Sequence, residues 1–168
     1  MGWKDPDFSG IGSTEFFKFK DGNNHIRVVS SPAVIAKHYI DGSYMVCRGV
    51  DEGCDGCAQL NKASVRWLAW IIDREDALVK KVEFPYTVVK ALNELAVSKQ
   101  YGFDEVPAYD ITVIRKGEKL DTEYTVLPDR KDTALSKFEA EDVALLEDPE
   151  LIVERMKTPQ EKTAKEPF

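Results

Sequence analysis

Residues 38 to 57, HYIDGSYMVCRGVDEGCDGC, hold one of the two histidines and all three cysteines of this chain, in the order His38, Cys47, Cys54, Cys57. The spacing is H-x8-C-x6-C-x2-C. Its last step, C-D-G-C, is a turn sharp enough for two thiolates of one loop to reach the same ion. Three thiolates and an imidazole form a closed tetrahedral set for Zn2+, with Zn–S about 2.3 Å and Zn–N about 2.0 Å. A closed set leaves no position for water, so the chemistry predicted is a structural zinc. Gly49, Gly53 and Gly56 relieve the backbone where it must fold back on the ion. The competing reading is that three thiols are small buried hydrophobes. Asp51, Glu52 and Asp55 beside them argue against a strand or helix core at Cys54 and Cys57. An odd cysteine count with no leading signal segment argues against a disulfide. His25, in a predicted strand, is the rival histidine.

The elements that must position this loop follow from periodicity. EFFKFKDGNNHIRVVSS reads as strand, turn, strand, with Phe17 and Phe19 alternating with lysines and Asp21 to Asn24 supplying the turn. AVIAKHYI is a further strand whose end carries His38 into the loop. SVRWLAWIIDRED, apolar on both faces at its centre, is expected in the middle of a sheet, and LVKKVEF follows as another strand. PYTVVKALNELAVSKQYG changes to helical spacing through Val88, Leu92, Leu95 and Lys99, with Gly102 as a stop. AYDITVIRK and TEYTVLPDR are the last two strands, joined by KGEKLD. The fold class expected is mainly β. Strands interrupted by one core helix before the final pair give an OB-fold-like Greek-key barrel with a zinc-binding loop. EAEDVALLEDPELIVERMK predicts a short helical acidic extension. The division is an N-terminal arm (1–15), a zinc-containing domain (16–131), the helical extension (132–157) and a flexible tail (158–168).

The 168 residues are 43% hydrophobic and suffice for one domain with its own core. No apolar run approaches the ~20 residues of a membrane span, and MGWKDPDFSG lacks a secretory pattern, so no membrane partner and a cytoplasmic location are expected. The net charge of −7 would argue against a nucleic-acid partner. Its distribution alters that: residues 1–131 carry 18 Lys and Arg against 20 Asp and Glu, residues 132–168 carry 5 against 10.

The succession FFKFKDGNNHIRVVSSP, the His and three Cys, WLAWIIDRED, and DITVIRKGEKLDTEYTV resembles the single-stranded-DNA-binding replication proteins of T-even phages and their relatives, over roughly residues 15 to 130. That resemblance implies a zinc-containing OB-fold, ligation of the zinc by His38, Cys47, Cys54 and Cys57, and a cleft whose aromatic and basic side chains hold single-stranded DNA during replication, recombination and repair. If a phage encodes the chain, the location is the host cytoplasm. Three departures accompany it. Residues 1–15 lack the family's basic self-assembly motif, the ligand spacings are compressed, and the acidic tail is shorter.

Sequence-independent binding of an unpaired strand needs aromatic faces for bases and cations for phosphates. The candidates interleaved on predicted strands are Lys18, Lys20, Arg27, Lys37, Tyr39, Tyr44, Arg48, Arg66, Trp70, Tyr109, Arg115 and Lys116. Each has a plainer reading, as core aromatic or solvated lysine. Trp67 and Trp70 face opposite sides of a regular strand, and Arg66, on the side of Trp70, selects Trp70. The acidic C-terminal segment suggests autoinhibition or recruitment of replisome or recombination proteins. Catalysis is not expected: H-x-E with P-C-x-x-C, H-E-x-x-H, the P-loop and G-x-S-x-G are missing. The alternative function is a zinc-stabilised protein-interaction or transcription accessory module.

Overall fold

A strand with two apolar faces is satisfied only when both are covered, and SVRWLAWIID is that strand. In the computed structural model, which describes residues 16–49, 53–59, 61–130 and 132–157, it forms β5 (Ser64–Asp73). The predicted arm and tail lie outside the described residues. Along one edge β5 pairs antiparallel with β6 (Leu78–Phe84), from Trp67↔Phe84 to Asp73↔Leu78. Its other edge is shared. β3 (Ala33–Ile40) pairs with the first half, Ala33↔Leu68 to Lys37↔Ser64. β2 (Gly22–Val28) pairs with the end, Val28↔Ile71 to Ile26↔Asp73. β2 also pairs with β7 (Ile111–Lys116), and β7 with β8 (Glu123–Pro128). β4 (Ser43–Val46) folds back on β3, and β1 (Phe16–Phe17) adds to β6 in parallel. The helices are α1 (Asp55–Ala58), α2 (Tyr86–Ala96), α3 (Lys137–Ala144) and α4 (Pro149–Lys157).

The chain is therefore mainly β, with one eight-stranded mixed sheet. Among the described residues the hydrogen-bonded path runs openly from β1 to β8, and the closed barrel expected from the element order is not formed. No described helix is long and apolar enough to cross a membrane.

The expected strand-turn-strand at residues 15–31 is also corrected. β1 and β2 do not pair, and Gly22 to Asn24 belong to β2. The cause is Asn24, whose buried amide donates to the carbonyls of Lys20, Gly22 and Val113 and accepts from the Lys20 N–H, fixing a bend in place of a hairpin. A hairpin does form between β3 and β4. Asp41 and Gly42, at φ 52° and 82°, both take the left-handed conformation that a two-residue turn of the twisted kind requires.

Alternation along β5 divides the interior in two. Ala69 and Ile71 join Ile26, Val28, Val82, Phe84, Ile111 and Val113 in a first core, which Val88 of α2 enters from above. Leu68, Trp70 and Ile72 join Ala33 and Ile35 in a second core on the opposite face. Its cover is the C-terminal segment read as an acidic extension: Ile152 and Val153 of α4 are buried in it. Full burial of one such side chain contributes about 1.5–3 kcal/mol, so α4 is held as a structural layer.

Candidate metal centre

The ligand loop is assembled from the β3–β4 hairpin outward. His38 lies on the face of β3 away from Lys37 and Tyr39 and is fully buried. Just beyond β4, the Cys47 N–H donates to the Ala36 carbonyl at 2.7 Å, which brings Cys47 back beside β3. Gly49 and Gly53, at φ 94° and 73°, turn the chain, and the Cys54 N–H donates to the Gly49 carbonyl at 3.3 Å. α1 then carries Cys57 round to the same point. Its Gly56 rests on the imidazole: a Cβ there would stand 2.3 Å from His38 Cγ and Cδ2. No other residue fits.

One atom from each of His38, Cys47, Cys54 and Cys57 lies within 4.8 Å of all the others. Cys47 Sγ and Cys57 Sγ are 3.5 Å apart, and Cys57 Sγ is 3.6 Å from His38 Nε2. The edges of a tetrahedron built on the usual zinc bond lengths are about 3.8 Å between sulfurs and about 3.5 Å from sulfur to nitrogen. The residues fit a structural metal, and their donor types suggest zinc. His38 Nδ1 is 3.0 Å from Asn61 Oδ1, and the Asn61 amide donates to the Tyr39 carbonyl at 3.2 Å. Such an outer partner fixes ring orientation and aims the other nitrogen at the ion.

The electrostatics favour a thiolate at Cys54. Burial pushes its thiol up, but the backbone amides of Arg48, Cys57 and Gly56 outweigh this and hold it at about 6. Cys57 is pushed up to about 11, first by sharing a hydrogen bond with Cys47 and then by burial. For His38, burial disfavours the charged ring, yet hydrogen bonds to Cys47 and Asn61 hold it above its usual value. Without a cation the group retains protons that an ion would displace.

A second set of donors, His25, Asp110 and Asp129, also converges. Asp110 is already committed, accepting from Arg27 Nη1 at 3.2 Å and from Arg74 Nε and Nη2 at 3.0 and 3.1 Å. Two guanidinium groups take the place a cation would need.

The structure divides the candidate strand-contact residues into three sets. Lys37, Tyr39, Tyr44 and Arg66 share one face of β3, β4 and β5 beside the metal loop. Tyr39 and Tyr44 are directly opposite across the hairpin, 56% and 68% exposed, with ring centroids 4.9 Å apart. Lys37 Nζ lies 5.9 Å from the Tyr44 ring and bonds Glu83 at 2.9 Å. Arg48 is adjacent, donating to the Gly53 carbonyl at 3.1 Å and so bracing the loop.

Lys20, Arg115 and Lys116 lie toward the far end of β5. Lys20 pairs with Glu75 at 2.7 Å, while Arg115 and Lys116 stand opposite Tyr124 and Glu123. At ~3.3 Å per residue, the ten residues of β5 put roughly 30 Å between these two groups. Lys18 is exposed near β1.

Arg27, Trp70 and Tyr109 are corrections, because all three are buried with their polar atoms bonded internally. Arg27 is held by Asp110. Trp70 Nε1–H donates to the Glu147 carbonyl at 2.8 Å, and the Tyr109 hydroxyl donates to the Tyr101 carbonyl at 2.7 Å. The half-exposed indole is Trp67, 6.2 Å from the exposed ring of Tyr86 on the opposite face. Strand parity separated the two tryptophans correctly. What it lacked was the position of α4, which decides which face is open.

No family model, curated protein or solved structure matches this chain.

Proposed function

We propose that this chain binds single-stranded DNA without sequence preference on the face carrying Tyr39 and Tyr44, and that zinc in the Cys3His group holds that face in place. The observation that carries the reading is the tyrosine pair itself: two aromatic rings left exposed side by side, with Lys37 over one of them and Arg66 on the same face. Base stacking on an aromatic ring contributes about 1–3 kcal/mol per base, and nearby cations hold the phosphates. His38 and Tyr39 are consecutive on β3, so the metal fixes one residue from the platform. An OB-type arrangement around the first core agrees with the position of α2 between β6 and β7. A role in replication, recombination or repair, with partner proteins met through the acidic C-terminal segment, follows from the resemblance to the phage proteins.

The test is titration of fluorescently labelled oligo-dT at two salt concentrations, followed by anisotropy. Binding should raise the anisotropy and weaken with salt at a log–log slope of about −0.7 per phosphate contacted. Tyr39→Ala with Tyr44→Ala should weaken it by ten-fold or more, the loss of one to two stacked bases. Lack of any interaction at low salt would overturn the proposal. It would favour the second reading, a zinc-stabilised protein-interaction module, for which Val34, Val65 and Tyr86, exposed and apolar, offer a surface.

A further inference from the structure

The register of the sheet extends the tyrosine face to a place that sequence reasoning did not mark. Lys37 on β3 stands opposite Ser64, and Ile35 opposite Arg66, so Tyr39, Lys37 and Arg66 share one face. On the same face Leu68 stands opposite Glu83 and Trp70 opposite Lys81. Lys81 is in turn opposite Phe16 of β1. Phe17 and Phe19 point into the first core, so Phe16 and Lys18 point away from it, and both are exposed.

Phe16 is an aromatic ring left 42% exposed at an edge strand, and Lys81 Nζ sits 5.1 Å from its centroid and 5.7 Å from that of Trp70. This repeats, at the other side of the sheet, the arrangement of Lys37 over Tyr44. Between the two lies Arg66, which makes no ion pair among the described residues, and Lys18 is exposed beside Phe16. The nearby Glu147 and Arg155 bond one another at 2.8 Å and so offset each other's charge beside Lys81. Glu83, on the same face, is occupied by Lys37.

From these placements we infer that the strand-binding surface is bipartite, with Phe16 and Lys81 forming a second station for a base and a phosphate of the same strand that engages Tyr39 and Tyr44. The inference rests on the single-strand reading above. With ~3.3 Å per residue along strands and ~4.8 Å between them, the stations are roughly 30 Å apart. A strand must therefore be several nucleotides long to touch both, within the ~4–16 that a small barrel-type domain covers.

The experiment uses the full chain, metal-loaded, with labelled oligo-dT of about 3, 6 and 12 residues, chosen to fall below, near and above that span. Wild type should gain affinity steeply between the shortest and the longest. Phe16→Ala and Lys81→Gln should each weaken the longest oligonucleotide about ten-fold and leave the shortest unchanged, and Lys81→Gln should flatten the salt slope by about 0.7. Tyr39→Ala should weaken all lengths. If Phe16→Ala and Lys81→Gln bind the longest strand as tightly as wild type while Tyr39→Ala does not, the second station is overturned and the tyrosine face stands. If wild type binds no length, both fall together. Lys81→Gln removes a charge at a partly exposed position, so it reports on the surface even if Phe16→Ala disturbs the edge strand.

Discussion

The two ends of β5 are held by different forces. Around Leu68 to Ile72 the strand is enclosed on both faces by buried apolar side chains from four other strands and two helices. Around Ser64 it pairs with the end of β3, which carries β4 and packs against α1; there the buried side chains are His38 and Cys54 and the exposed ones include Val34, Tyr39, Tyr44 and Val65. The first region holds itself together by excluding water. The second places Tyr39 and Tyr44 on the outside and has four residues fit to hold a metal where a core would be. Exposed rings add little buried apolar area there, and a metal held by the four residues would supply cohesion without it. The lesson is that the metal end should depend on its ion and the cored end should not.

Removing the metal is the strongest way to break that contrast. Structural zinc in small domains contributes on the order of 10–16 kcal/mol of apparent binding free energy at neutral pH. Chelation, or Cys57→Ser, is expected to strip amide-exchange protection from β3, β4 and α1, while the β5–β2–β7 centre keeps most of its own. Hydrogen exchange resolved by residue checks this. Uniform loss of protection across both regions would show that the ends are one cooperative unit.

The reciprocal perturbation is smaller and falls on the other end. Ile152→Ala should cost about 2–5 kcal/mol, the range for deleting a buried isoleucine side chain, read as a lowered midpoint in urea. Metal affinity should remain close to wild type, because α4 covers Trp70 and Ile72 and touches no ligand. A variant that lost metal in proportion to stability would erase the distinction between the regions.

Legibility in the sequence follows the same division. The ligand set could be read because a metal demands particular donors at particular spacings, whatever surrounds them. β3 and β6 occupy the same residues that alternation assigned, Ala33–Ile40 and Leu78–Phe84. α2 begins at Tyr86, one residue inside the expected helix, but ends at Ala96, well before Gly102. Ser98 explains the early end, since its hydroxyl bonds the Leu95 carbonyl and accepts from the Tyr101 N–H. Asp41-Gly42 was a readable hairpin signal that the reading by elements passed over. Arg27 and Trp70 were not readable as buried, because their partners Asp110 and Glu147 are distant in the chain, and Tyr109 because its hydroxyl is taken by Tyr101 in an irregular loop that alternation does not reach. Sequence spacing says which residues share a face. It does not say which face another segment will cover.

The smallest expected effect concerns how that cover is fastened. Ser136 and Glu139 cap α3 reciprocally: the Ser136 N–H donates to Glu139 Oε1 at 2.9 Å, and the Glu139 N–H to Ser136 Oγ at 3.1 Å. The Ser136 amide first, and Arg74 after it, hold the Glu139 carboxyl below its usual value of 4.5 despite partial burial. A carboxylate with a lowered folded-state value contributes stability that is present above the unfolded value and is lost as pH falls through the folded one. Glu139→Gln should therefore be less stable than wild type at neutral pH by about 1 kcal/mol, the scale of a lost cap. The two proteins should converge in melting temperature at acid pH below the folded value. Acid also protonates the thiolates and releases the metal, but it does so equally in both proteins, so the difference between them isolates α3. A gap that persisted unchanged into acid would mean that Glu139 acts through packing, and that the C-terminal cover is held by the second core alone.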